Sequence, residues 1–307
     1  MKKVLVATEK PFAPAAVEQM KEIFGDAGLE MSLLEKYSTP DELKSAVADA
    51  DALIVRSDKV TADVVDAAKN LSIVVRGGAG YDNLDLEACS AKNIVAMNTP
   101  GQNSNAVAEL ALGMMVYQAR NHFNGTAGTE LRGKKLGIHA YGNVGIYVAQ
   151  IAKGFGMEVY AFDPFVDDSK IKADGVKPLG SVEELYSTCQ YVSLHIPAND
   201  KTIKSINREL LSKMPANAVL VNTARKEVID EEGMAKLMEE RKDFSYISDI
   251  APDNKSVFEE KFQGRFFFTP KKMGAQTAEA NINAGVAAAR QIVKFFKEGD
   301  ETFRVNK

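Results

Sequence analysis

Gly142 and Gly145 lie in the sequence AYGNVG at positions 140–145, between an apolar strand pattern and a helical pattern. Gly142 would let the backbone approach a pyrophosphate, and Gly145 would let the helix pack closely on the strand. Free N–H groups at a helix start attract phosphate oxygens. Asp163 ends the next strand pattern, where an acid binds the ribose hydroxyls of adenosine and repels a 2′-phosphate. These features predict an NAD site made of Tyr141, Gly142, Asn143, Val144, Gly145 and Asp163.

One position departs from the usual glycine pattern. Ala140 stands where the first glycine of GxGxxG is expected. We expect a methyl group to be tolerated there if the φ angle of Ala140 stays negative. Glycines alone are a weak signal, and a plain βαβ crossover without a ligand stays an alternative. The ordered series of strand, glycines, helix, strand and acid favours the nucleotide site.

Three other segments place polar or flexible residues directly after apolar strand patterns. They are VVRGGAGYDN at positions 74–83, VSLHIP at 192–197 and VNTAR at 221–225. Ligands bind at the carboxyl ends of strands in open α/β sheets, so we expect all three segments to contribute to a site.

The elements that must position these residues are short strands alternating with helices along the whole chain. This order predicts βαβ units and parallel sheets. The expected fold class is α/β, with two doubly wound parallel-sheet domains. A boundary is predicted near Asn98-Thr99-Pro100-Gly101, followed by a long apolar helix over 103–121. The helical pattern over 276–296 is expected to return to the first domain.

Composition limits the class of protein. The 307 residues favour two domains, and 45% apolar with 26% charged residues is ordinary for a globular chain. A net charge of −4 gives no reason to expect nucleic acid as a partner. Cys89 and Cys189 form no metal-binding spacing and suit a reduced, cytoplasmic compartment. We also expect no signal peptide, no membrane span and no metal site.

The quoted motifs together resemble the D-2-hydroxyacid dehydrogenases, in the order VRGGAGYDN, MNTPGQNSNAVAEL, AYGNVG, VSLHIP, NTAR and TPKKMGAQT. Within that family the chain is most similar to short D-3-phosphoglycerate dehydrogenases. The resemblance implies a Rossmann NAD domain at 99–279, inserted in a flavodoxin-like substrate domain at 1–98 plus 280–307. It also implies a homodimer through the NAD domain. Long members carry a C-terminal regulatory domain, which we expect this chain to lack.

The resemblance also implies roles for residues around the substrate. Arg225 would orient the carboxylate and the developing carbonyl, because a guanidinium makes two parallel hydrogen bonds to such groups. Arg56 and Arg76 would face a substrate phosphate, although arginines at strand ends are often surface charges. The amides of Gly78, Ala79 and Gly80 would hold the substrate carboxylate. Cofactor contacts are implied for His195, Pro197, Thr223, Ala224, Asp249 and Gly274.

The proton-transfer group is the main departure from the family. The family has a histidine after Thr-Pro, whereas this chain has Lys271 and Lys272 there. A free lysine has a pKa near 10.4, but burial, Arg225 and the nicotinamide would lower that pKa. We favour Lys271 as the general acid/base because it directly follows Pro270. Lys272 is the alternative, and two solvated turn lysines are a third possibility.

The family glutamate that assists the histidine is also replaced. Its position is Asn254, with Asp253 next to it as a displaced carboxylate. A carboxylate close to a lysine would raise the lysine pKa, so we expect the loss of histidine and the loss of glutamate to be coupled.

Three functions follow from this pattern. The leading expectation is NAD-dependent oxidation of D-3-phosphoglycerate in serine biosynthesis. The second is reduction of glyoxylate, hydroxypyruvate or another 2-keto acid on the same scaffold. The third is a NAD-sensing binding protein without turnover, since a fold alone does not establish a function.

Overall fold

The computed structural model describes residues 1–306, and Lys307, predicted to end the substrate domain, lies outside them. The chain forms two compact units. The first unit contains Met1–Asn103 together with residues from Ala275 onward, and the second contains Ser104–Gly274. These junctions lie a few residues from the domain bounds expected at 98/99 and 279/280.

The strands within residues 1–306 are short and mostly buried. They are β1 (Lys3–Thr8), β2 (Glu30–Glu35), β3 (Ala52–Val55), β4 (Ile73–Arg76), β5 (Val95–Asn98), β6 (Lys135–His139), β7 (Glu158–Phe162), β8 (Lys177–Pro178), β9 (Tyr191–Leu194), β10 (Val219–Asn222), β11 (Ser245–Ser248) and β12 (Phe266–Phe268).

The helices alternate with these strands. They are α1 (Pro14–Asp26), α2 (Pro40–Val47), α3 (Ala62–Ala67), α4 (Leu86–Ala91), α5 (Ser104–Ala119), α6 (Asn143–Gly154), α7 (Asp168–Ala173), α8 (Val182–Thr188), α9 (Arg208–Ser212), α10 (Glu231–Glu240), α11 (Lys255–Lys261) and α12 (Ala278–Glu298). Two 3₁₀ turns cover Asn121–Phe123 and Lys226–Val228.

The first unit is built on a five-stranded parallel sheet with the strand order β2-β1-β3-β4-β5. This is the flavodoxin-like order. Helix α12 returns to this unit and buries Ile292 in the same apolar cluster as Phe24 of α1. The helix begins at the cap Thr277, whose Oγ1 accepts the Ala280 N–H at 3.1 Å, and ends at Gly299 with φ +68°.

The second unit holds a seven-stranded parallel sheet with the order β12-β11-β10-β9-β6-β7-β8. Counted within the unit, this is the Rossmann order 3-2-1-4-5-6 with a seventh strand added. Strand β10 shows why the sheet forms here, because all four of its residues are buried, as expected for a parallel strand covered on both faces. The predicted fold class is confirmed.

Two strands lack the β-branched apolar runs from which strands are predicted. Strand β2 is EMSLLE, which lacks β-branched residues and pairs with β1 at a sheet edge. Strand β8 has only two residues. It pairs with β7 and forms an edge of the sheet in the second unit. Edge strands need little apolar sequence because one side stays open to solvent.

No helix in the described part of the chain is long and apolar enough to cross a membrane. The same residues contain no cluster of three or more potential metal ligands.

Candidate active site

The glycine loop between β6 and α6 forms an anion cradle in the second unit. Gly142 is the N-cap of α6, and a Cβ added there would meet open space. The amides of Asn143, Val144 and Gly145 donate to no acceptor within residues 1–306. A Cβ at Gly145 would lie 2.6 Å from the Ala140 carbonyl oxygen, so glycine is required for helix and strand to pack this closely. The loop therefore has the space and the free donors that a pyrophosphate needs.

Ala140 does not have the negative φ that would make an alanine unstrained there. Its φ is +79°, in the region that glycine adopts freely and that costs an L-residue about 1–2 kcal/mol. The condition under which the methyl group was expected to be tolerated is therefore not met. The loop backbone keeps the conformation that glycine would adopt at this position, although the residue is alanine.

Asp163 lies where an adenosine ribose acid is expected, directly after β7. Its Oδ2 accepts the Tyr141 N–H at 2.8 Å, and its Oδ1 accepts the Phe165 N–H at 2.9 Å. Each oxygen keeps a lone pair for a ribose hydroxyl. Because the Tyr141 amide is already bonded and its side chain is 1% exposed, Tyr141 presents no free donor to a cofactor.

Two histidines lie side by side where the strand order reverses, between β6 and β9. His139 Nδ1 lies 3.2 Å from the Tyr186 hydroxyl, and His195 Nε2 lies 3.0 Å from Ser193 Oγ. Burial lowers the pKa of His139 to about 4 and that of His195 to about 3. Both rings are neutral at pH 7, so neither supplies a cation or a base with an ordinary pKa. Pro197, after His195, is exposed.

Lys272 and Arg225 meet at one carbonyl oxygen of the second unit. The Lys272 amine donates to the Ala224 carbonyl at 2.7 Å and lies 3.4 Å from the Thr223 carbonyl. Arg225 Nη1 donates to the same Ala224 oxygen at 3.0 Å. Thr223 is buried, and its hydroxyl has no partner within residues 1–306. Two cations and one unpaired hydroxyl thus gather at the end of β10.

A buried carboxylate holds Lys272 from the other side. Asp249, with its side chain 1% exposed, accepts from the Lys272 amine at 3.2 Å and from the Gly274 N–H at 3.0 Å. The Lys272 side chain is 40% exposed, but desolvation around its amine lowers its pKa; Asp249 opposes this shift and the Arg225 charge adds to it. A carboxylate thus lies against Lys272 although the family glutamate is replaced, and the coupling of the two losses stays a prediction.

The turn after β12 separates the two lysines. Thr269 Oγ1 donates to the Lys271 carbonyl at 2.8 Å, which fixes the turn. Both lysines are exposed, but the Lys271 side chain has no hydrogen bond or ion pair within residues 1–306, whereas the Lys272 amine lies 3.2 Å from Asp249. The geometry reverses the order preferred from the sequence and favours Lys272.

Asp253 and Asn254 make their hydrogen bonds to Lys226 and Glu231 and not to Lys272. Asp253 is paired with Lys226 at 2.5 Å and its side chain is 78% exposed. The amides of both residues donate to the carboxylate of Glu231, at 3.0 and 3.2 Å. Asp253 is therefore held away from Lys272 by its own ion pair, which does not support its expected catalytic role.

The first unit has its own cation pair, at the ends of β3 and β4. Arg56 donates to the carbonyls of Lys10 and Pro11, at 3.0 and 2.9 Å, and also to Asn281. Arg76 Nε donates to the Arg56 carbonyl at 3.0 Å. Arg56 is thus largely engaged in holding a loop, which differs from its expected role on the substrate.

The glycine-rich loop after β4 supplies fewer free amides than expected. The Gly78 N–H donates to the Arg76 carbonyl at 2.9 Å, so Gly78 has no amide left for a carboxylate. The amides of Ala79 and Gly80 donate to nothing within residues 1–306. A Cβ at Gly78 would fall 1.7 Å from Arg76 Nη1, so that guanidinium lies against the loop.

Comparison with known proteins gives the family. A family model described as "D-isomer specific 2-hydroxyacid dehydrogenase, NAD binding domain" matches residues 106–270. A hydroxypyruvate reductase of Thermotoga maritima is 33% identical, over 86% of this chain and 91% of that protein. The chain belongs to the D-isomer-specific 2-hydroxyacid dehydrogenase family. The family resemblance, the oxidoreductase class and the NAD cofactor expected from the sequence are confirmed.

Two further members of this family bear on the substrate. The D-3-phosphoglycerate dehydrogenase of Methanocaldococcus jannaschii is 34% identical over 97% of this chain, which spans 58% of that protein. The solved NAD⁺-bound 3-phosphoglycerate dehydrogenase of Entamoeba histolytica is 48% identical, with a TM-score of 0.87. That match covers 100% of this chain and 99% of that one.

The cofactor fits the residues present in the second unit. The open space at Gly142, the free α6 amides and the two remaining lone pairs of Asp163 suit pyrophosphate and ribose. Two features were missed from the sequence, the Asp249–Lys272 pair and the buried anchor of Tyr141. Only the acid at the end of β11 and the aromatic residue inside the glycine loop hinted at them.

Proposed function

We propose that this chain oxidises D-3-phosphoglycerate to 3-phosphohydroxypyruvate with NAD, a step towards serine. The observation that carries the reaction is the Lys272 amine, held beside Asp249 and Arg225 at the strand ends of the NAD-binding unit. The choice of substrate is supported by 48% identity over the whole chain to the 3-phosphoglycerate dehydrogenase of Entamoeba histolytica.

Lys272 is the proposed general base for oxidation and general acid for reduction. When bound, NAD accepts a hydride from the substrate carbon. Lys272 removes the hydroxyl proton, and for this it must be an unprotonated amine. Burial and the neighbouring Arg225 lower its pKa towards that state. Asp249 acts as a positioning residue, because it holds both the amine and the Gly274 amide of the same turn.

Arg225 is the proposed partner of the substrate carboxylate and of the carbonyl that forms. Its side chain is exposed and donates one hydrogen bond within residues 1–306, to Ala224, so most of its five N–H donors remain for a ligand. In the first unit, Ala79 and Gly80 keep free amides, which we propose for substrate binding, whereas the Gly78 amide is already bonded.

Arg76 is the proposed phosphate-binding cation. Its guanidinium lies against the loop that carries the Ala79 and Gly80 amides, and its Nε donates to the Arg56 carbonyl at 3.0 Å. A phosphate dianion gains strongly from a guanidinium that offers parallel donors.

The proposed function is tested by NADH formation from D-3-phosphoglycerate, with D-lactate and glycerate as comparison substrates. We expect turnover with the phosphorylated acid at least tenfold above that with the other two. A second candidate, reduction of hydroxypyruvate or glyoxylate, is favoured by the likeness to the Thermotoga maritima enzyme. This candidate function predicts more turnover with glycerate than with D-3-phosphoglycerate. A NAD-sensing protein predicts no turnover with any 2-hydroxy acid.

A homodimer through the second unit also belongs to this proposal. Asn121, His122 and Phe123 all have positive φ, between 52° and 56°, and Phe123 is 64% exposed after the apolar helix α5. Tyr117 stacks on His122 at 4.7 Å and packs edge-on against Phe123 at 5.2 Å. An exposed aromatic cluster on a strained turn is a surface that a second copy could cover. A cytoplasmic location stays a prediction.

A further inference from the structure

Tyr141 is held both through its main-chain amide and through its side-chain hydroxyl. Its ring is 1% exposed and belongs to the same apolar cluster as Val159 and Ile171. Its hydroxyl donates to Asp174 Oδ2 at 3.1 Å, just past the end of α7. Its main-chain amide donates to Asp163 Oδ2 at 2.8 Å. One residue thus links a buried anchor to the acid expected to bind the ribose.

The loop around Tyr141 needs such an anchor. The peptide that carries the Tyr141 amide follows Ala140, which has a φ of +79°. An alanine in this region tends to relax towards negative φ, and this rotation would turn the Tyr141 amide away from Asp163. A side chain fixed in the core opposes that rotation.

The orientation of Asp163 matters for cofactor choice. Its carboxylate has about four lone-pair positions, and the amides of Tyr141 and Phe165 take one on each oxygen. The remaining two suit the pair of ribose hydroxyls. A carboxylate held in that position also repels a 2′-phosphate, whereas a mobile one can turn aside.

We propose that Tyr141, through its hydrogen bond to Asp174, is a positioning residue that fixes Asp163 and thereby sets the preference for NAD over NADP. The hydroxyl is a dependable donor, because burial and Asp174 raise the pKa of Tyr141 above its ordinary value. Asp174 is itself held, since Lys153 at the end of α6 donates to its main-chain carbonyl. We call Tyr141, Asp174 and Lys153 the clamp. It joins α6, α7 and the glycine loop within the second unit.

The test measures KM for NAD and the ratio of kcat/KM for NAD to that for NADP in Tyr141→Phe and Asp174→Ala. Both substitutions remove the same hydrogen bond and keep the ring in the core. A hydrogen bond to a carboxylate is worth about a ten- to 150-fold change in an equilibrium, and only part of that reaches Asp163. We expect KM for NAD to rise about fivefold and the NAD:NADP ratio to fall about as much, with kcat for NAD unchanged.

Tyr37→Phe is the matched control, because Tyr37 is also a buried tyrosine that donates to an aspartate, Asp58, at 2.8 Å. It should lower stability and leave the NAD:NADP ratio unchanged. If Tyr141→Phe and Asp174→Ala lower the melting temperature as Tyr37→Phe does but leave the ratio unchanged, the clamp is only structural and the proposal is overturned. Asp174 is half-buried, so Asp174→Ala keeps the test decisive should Tyr141→Phe fail to fold.

Discussion

The amine of Lys272 lies 3.2 Å from Asp249 Oδ1, and the other oxygen of the same carboxylate accepts the Gly274 N–H at 3.0 Å. A carboxylate that is 1% exposed must be paired, and here its partners are two groups of one turn. The pairing fixes the lysine that we propose as the general acid/base.

The pH dependence of catalysis should follow the amine of Lys272. Its pKa is lowered from 10.5, so the unprotonated base is present at a lower pH than for a free lysine. The rate of oxidation should therefore rise with pH through a midpoint below 10.5, and the rate of reduction should fall through the same midpoint. Asp249 raises this pKa, so Asp249→Asn should move both midpoints to lower pH.

Asp253→Asn is the control for that shift, because Asp253 is paired with Lys226 and not with Lys272. It should leave the midpoints where they are. A midpoint that moves with Asp253→Asn and stays fixed with Asp249→Asn would contradict our assignment of the carboxylate partner.

Substrate choice should depend on Arg76 more than on Arg56. Arg76→Met should lower kcat/KM for D-3-phosphoglycerate by about 100-fold, the loss expected for a charge-assisted bidentate contact, and spare a small 2-keto acid. Arg56→Met should instead reduce stability, because it removes the bonds to the Lys10 and Pro11 carbonyls. Steady-state kinetics with both substrates and a thermal melt separate the two effects. Equal losses on both substrates would argue against a phosphate role.

Relief of backbone strain should be measurable at Ala140. Glycine accepts a φ of +79° without the penalty that alanine has there. Ala140→Gly should raise the free energy of unfolding by about 1 kcal/mol, since the relief of strain outweighs the added freedom of the unfolded chain. Urea unfolding is the measurement. A loss of stability would show that the loop is not strained at this residue.

The aromatic surface after α5 should govern self-association. Phe123→Glu places a charge on a side chain that is 64% exposed, so the folded chain should tolerate it. Light scattering after size-exclusion chromatography should find a dimer for the natural chain and a monomer for the variant. Phe165→Glu, at another strongly exposed phenylalanine, 92% exposed, is the control and should stay dimeric. A dimer that survives Phe123→Glu would place the interface elsewhere.

Most of the fold followed from local sequence. Buried strands such as β10 are continuous apolar runs, and the Gly142–Gly145 spacing identified the turn that opens α6. Strand β2 was missed because an exposed edge strand needs no apolar alternation. The φ of Ala140 was also missed, because it is imposed by packing around the loop rather than by alanine's own preference.

The sequence alone does not distinguish Lys271 from Lys272 as the general acid/base. The two are identical and adjacent, so only the path of the turn decides which one reaches the strand ends. That path depends on Thr269 bonding the Lys271 carbonyl and on Asp249 bonding the Gly274 amide. Asp249 is distant from Lys272 in sequence, so their pairing is evident only in the folded sheet.

The most direct measurement compares Lys272→Ala with Lys271→Ala, following NADH formation together with NAD binding by fluorescence. A general base contributes about 10²- to 10⁴-fold, so Lys272→Ala should lower kcat by that much while NAD still binds. Lys271→Ala should keep kcat within about threefold of the natural chain, since its exposed side chain has no hydrogen bond or ion pair within residues 1–306 to lose. Near-normal turnover in Lys272→Ala would contradict the account.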